Sequence, residues 1–74
     1  MNISLDSISM TSPNDALALL RTWLRTERQR ISWTQRELAR RSGVPAASIS
    51  RLERTGLAST DALFRVAFAL RQLE

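Results

Sequence analysis

Three residues, Gly43-Val44-Pro45, constrain this chain more than any others. They interrupt a helical apolar pattern that resumes at once on the far side. Gly43 stops the preceding helix, because only glycine takes up the left-handed conformation cheaply. Pro45 opens the following one: its fixed φ suits a helix start, and it forces Val44 to be extended. Before the turn, Thr34-Gln35-Arg36-Glu37 reads as a capping box, with Trp33 placed to staple onto Leu38. After the turn, a helix is expected from about Ala46 to Arg54, with Ile49 and Leu52 facing inward.

Two short helices joined by a glycine turn make a helix-turn-helix, here over residues 34–54. The interior positions meet the steric needs of that unit. Leu38 and Leu52 anchor the two helices, and Ala39 is small where they cross closely. Gly43 makes the turn, Val44 seals it, and Ile49 buries the inner face of the second helix. Each residue is common; all six at these spacings form a specific signal.

Two further helices flank the unit. Ser12-Pro13-Asn14-Asp15 supplies a cap, a proline at the first helical position and an acid three residues after the cap. The stripe Leu17, Leu20, Leu24 and Ile31 follows, and that helix is expected to end near Arg30. Gly56 marks another turn, and Ser59 caps a fourth helix with Leu63, Val66, Ala67 and Leu70 on one face. Residues 1–11 stand apart from this domain of residues 12–74. Ile3 and Leu5, then Ile8 and Met10, alternate with polar residues. They read as an arm, either mobile or pairing with another chain or covering apolar surface.

Composition narrows the chemistry. There is no cysteine and no histidine, which removes disulfides, the usual zinc ligands and the usual general base. A hydrolase triad, a zinc enzyme and a thiol redox protein are excluded, and no phosphate loop or cofactor motif is present. The chain reads as no enzyme. Its longest apolar runs, Ala16–Leu20 and Val66–Leu70, are far short of the roughly 20 residues of a membrane span. With no secretory signal in the first residues, a cytoplasmic location is expected. The net charge is +4 and every cationic residue is arginine. A guanidinium fork suits phosphate and guanine edges, so a polyanionic partner is expected.

The segment TQRELARRSGVPAASISRLE resembles the helix-turn-helix of the phage-repressor/Cro-type DNA-binding family, over roughly Leu20 to Leu70. The resemblance implies an all-α, lambda-repressor-like domain of four helices, a five-helix family minus its last. Its third helix would lie in the major groove of double-stranded DNA, usually as a homodimer on an operator. It implies a phosphate contact for Gln35 and base-reading positions for Ala46, Ala47, Ser50 and Arg51. The alanines suit thymine methyl groups, and Ser50 can bond several base edges. Arg51 takes either guanine or a phosphate. Ser48 reaches the DNA backbone or is simply solvated. Arg36, Arg40, Arg41 and Arg54 flank the unit, some as phosphate contacts and others as a solvated face; Arg40 lies three residues after Glu37 on the same helix and is better read as solvated. The family often joins an Arg to a Glu at the positions of Arg28 and Glu53, which makes these two a structural pair fixing the third helix.

The expected loss of a fifth helix leaves apolar side chains to explain. Trp23, Phe64, Phe68 and Leu73 lie off the main stripes, as does Leu19. They read either as a wide core face, which a small domain needs, or as a dimer seam or a docking surface for another protein. The sequence therefore points to a transcriptional repressor or autoregulator. The alternative is a HipB-like antitoxin that binds a toxin and represses its own operon.

Overall fold

Each helix begins where the sequence supplies a start signal. The computed structural model describes residues 12–71; the expected arm at 1–11, and Leu73, lie outside the described residues. The helices are α1 (Pro13–Arg30), α2 (Gln35–Ser42), α3 (Ala46–Thr55) and α4 (Thr60–Arg71). Ser12 Oγ accepts the Asp15 N–H at 3.4 Å, Thr34 Oγ1 the Glu37 N–H at 3.0 Å, and Ser59 Oγ the Ala62 N–H at 3.1 Å. Each of these bonds satisfies a donor that a helix start would otherwise orphan. No side chain caps α3. The carbonyl of Pro45 instead accepts from Ser48 and Ile49 at 2.9 and 3.1 Å.

The ends are equally specific. α2 and α3 both stop on a left-handed glycine, Gly43 with φ 74° and Gly56 with φ 78°. The turn from α1 to α2 has no glycine and uses Ser32 at φ 62°, the one non-glycine residue with positive φ among those described.

The core is a single cluster of Leu24, Leu38, Val44, Ile49, Leu52, Val66, Ala69 and Leu70. α1 packs on α3, and α2 packs on both α3 and α4. The fold is all-α, as expected, and no strand occurs among the described residues. No described helix is long and apolar enough to cross a membrane.

One expectation about an apolar face is corrected. The buried face of α4 is Val66, Ala69 and Leu70, with Ala67 only half-buried. The helix is rotated from the expected stripe so that Ala69 lines the same groove as Ser42 of α2. Trp23 is partly buried and packed against the core.

Candidate nucleic-acid interface

α3 is sharply two-sided. Ile49, Leu52 and Glu53 are buried; Ala47, Arg51 and Arg54 are exposed; Ser48 and Ser50 lie between, and Ala46 stands at the helix start. The helix thus presents two small residues, two hydroxyls and two guanidinium groups. Its one acidic residue is turned inward.

That residue, Glu53, is only 3% exposed and ties three helices together. From α1, Arg28 donates through Nε to Oε2 at 2.7 Å and through Nη2 to Oε1 at 3.0 Å. Its remaining nitrogen, Nη1, donates to the carbonyl of Trp33 at 2.8 Å, just ahead of α2. From α2, the Gln35 amide donates to Glu53 Oε1 at 3.3 Å. Arg25 donates to the Glu53 backbone carbonyl at 3.1 Å. Burial of a carboxylate is tolerable only with such complete pairing, and no described buried side-chain polar atom lacks a partner. The Arg28 pKa is raised, chiefly by its hydrogen bonds to Glu53 and against the opposing effect of burial. The expected Arg28–Glu53 positions thus come together with bidentate geometry.

Gln35 has a part that its sequence position did not announce. It is half-buried and already engaged with Glu53. An amide carries two N–H groups, so one remains for another acceptor. Arg36 follows it in the first turn of α2.

The arginines divide into two sets. Arg28, Arg30, Arg40, Arg41 and Arg65 each hold a carboxylate at 2.7–2.9 Å, and Arg25 stands 3.9 Å from one. Among the described residues, none forms an ion pair with Arg36, Arg51 or Arg54. The unpaired cations therefore include Arg36, Arg51 and Arg54, whereas Arg40 and Arg41, which flank the same unit, are held by Glu37.

Arg40 pairs with Glu37, as its spacing suggests. Glu37 also takes Arg41. Hydrogen bonds from Arg40, then Arg41, hold its carboxyl down to about 2. Arg41 lies over the Trp33 ring, 4.7 Å from its centroid, a cation–π contact that sequence spacing does not reveal. At the other end of the unit, Ser48 and Arg51 border a shallow cleft against Leu57, Ala58, Ser59 and Ala62. Ser48 thus sits toward the loop before α4. Thr55 closes α3, donating its hydroxyl to the Arg51 carbonyl at 2.7 Å and accepting the Leu57 N–H at 3.1 Å.

Ala39 is partly buried against the core, and Gly43 and Ile49 hold the turn and inner face as expected. The largest exposed apolar side chains are on α4, where Phe64 is 68% and Phe68 69% exposed.

A helix-turn-helix family model matches residues 24–71, from the middle of α1 to the end of α4. No curated protein and no solved structure matches the chain.

Proposed function

The chain belongs to the phage-repressor/Cro-type helix-turn-helix family, and on that premise we propose that it is a sequence-specific double-stranded DNA-binding protein acting as a transcriptional repressor or autoregulator. One observation carries this reading beyond family membership. Arg36, Arg51 and Arg54 have no ion-pair partner among the described residues, while the only acid of α3 is buried and neutralised by Arg28. A polyanion approaching α3 meets unpaired cations and no competing charge.

In this reading α3 lies in the major groove. Ala46 and Ala47 contact thymine methyl groups, Ser50 a base edge, and Arg51 either guanine or a phosphate. Gln35, Arg36 and Arg54 hold phosphates on either side, and Ser48 lies at the margin. Two copies bind a pseudo-palindromic operator. The toxin-binding alternative draws on the same exposed α4 face.

The test is a salt-titrated gel shift on DNA from upstream of the protein's own gene, with wild type and Arg51→Ala. Selective binding by wild type is expected, with a ten- to hundredfold loss of discrimination in the variant, about 1–3 kcal/mol for one bidentate base contact. Weak, unselective binding by both proteins overturns the reading.

A further inference from the structure

The exposed face of α4 has an internal symmetry. Asp61, Phe64, Phe68 and Arg71 follow one another at intervals of three, four and three residues. These intervals place all four on one side of a helix. That side is turned away from the buried Val66, Ala69 and Leu70. Together with Arg65 and Ala67 they line a single open groove. The order of intervals is the same from either end, but the charges are not: an acid begins the series and a base closes it.

We infer that the groove is filled by a second copy of this chain, with α4 packed antiparallel on its symmetry mate. This rests on the homodimer reading above and gives that dimer its seam. A two-fold contact is self-complementary: if one residue meets another, the reverse contact occurs as well. Centred midway between Phe64 and Phe68, an antiparallel pair sets Phe64 level with the second copy's Phe68, and Asp61 level with its Arg71. Both relations then occur twice. The aromatic rings leave water together in the middle, and opposite charges meet at each end.

A parallel pair brings the rings together as well, but it sets Asp61 on Asp61 and Arg71 on Arg71. Within one chain Asp61 is held by Arg65 at 2.8 Å, but both side chains are more than half exposed. Such a surface pair is weak and exchanges readily for a neighbouring cation. Two 12-residue helices make a contact at the small end of the specific range, below roughly 1,200 Å² in total. The free dimer is therefore weak, and paired half-sites on DNA reinforce it by holding the copies close.

Charge exchange tests the register. The full chain and its Asp61→Arg and Arg71→Asp variants are compared by sedimentation equilibrium across the micromolar to millimolar range. Circular dichroism verifies that each variant is folded. Wild type is expected to dimerise. Each variant alone places like charges at both ends of the seam and weakens dimerisation by about tenfold. An equimolar mixture of the two restores it as a heterodimer. One copy then carries a cation at each end of the seam, and the other a carboxylate. A helix weakened by the substitution itself does not recover on mixing, so recovery separates register from folding damage.

A wild-type chain that stays monomeric throughout the range overturns the inference. So does dimerisation that neither variant changes, which places the seam elsewhere, or a failure of the mixture to recover. A monomer that still binds operator selectively sinks the α4 seam and leaves the DNA-binding reading intact.

Discussion

Gly56 and Leu17 stand so close that a methyl group on Gly56 would lie 3.1 Å from Leu17 Cδ2 and 3.2 Å from the Leu17 carbonyl oxygen. The end of α3 is thereby seated on the start of α1. At Gly43, by contrast, the nearest atom to such a methyl is the flexible tip of Arg65, 3.9 Å away. Both glycines are left-handed, so alanine is strained at either. Gly43→Ala is expected to cost about 1 kcal/mol from strain alone. Gly56→Ala is expected to cost about 2–3 kcal/mol, because overpacking against α1 is added. Urea unfolding of the two variants measures the difference, and equal losses would show that the Leu17 contact relaxes freely.

The turn before α2 offers the opposite opportunity. Ser32 holds φ 62°, and its backbone N–H donates to the Gln29 carbonyl at 3.0 Å. Glycine can keep that backbone bond, so Ser32→Gly relieves the strain, though it also loosens the unfolded chain. A net gain of about 0.5 kcal/mol is expected, read as a raised melting temperature. A lowered melting temperature would mean that the serine side chain supports the turn.

Removal of Arg28 or Glu53 singly leaves the other charge buried. Each of Arg28→Met and Glu53→Leu is expected to cost about 3 kcal/mol, a large part of the stability of a domain this small. The double variant should lose much less than the sum. A coupling near zero in that double-mutant cycle would mean that the bidentate pair does not fix α3.

Glu37 gives stability a shallow acid dependence. Its folded pKa of about 2 lies below the ordinary 4.5, so its stabilising contribution is complete above 4.5. It fades as pH falls from there toward 2. Because the carboxylate and both guanidinium groups are partly solvated, the effect is small and salt-sensitive. The difference in melting temperature between wild type and Glu37→Gln should shrink across that interval. A difference that grows toward low pH contradicts the assignment.

On the DNA-binding reading, Arg36→Ala and Arg54→Ala should weaken binding to all sequences alike. Each should lower the slope of log affinity against log salt by about 1. A change in sequence preference with Arg54→Ala would move that residue from the backbone to a base edge.

Local signals carried most of the fold into the sequence. Ser12, Thr34 and Ser59 cap as their spacing dictates, because a cap needs only residues three apart. Gly43 turns because glycine alone takes the left-handed conformation cheaply. The phase of α4 was not legible: in Val66-Ala67-Phe68-Ala69-Leu70 every residue is apolar, so only the position of α2 decides that Ala69 is buried and Phe68 is not. Ser32 carried no signal either, since serine rarely adopts positive φ. Around Glu53, the Arg28 partner was legible through the family pattern. The Gln35 bond and the Arg41–Trp33 stack were not, because both depend on how the folded backbone orients the side chains.

The position of the two indoles has a practical consequence. The chain has no tyrosine and two tryptophans. Both are partly buried against the core, but Trp33 also lies under Arg41 and borders the groove that holds Phe68. The molecule thus carries its own optical reporters. Emission from either indole follows unfolding, and only that from Trp33 also follows events at the α2–α4 surface, so comparing single-tryptophan variants distinguishes assembly from folding without any attached dye.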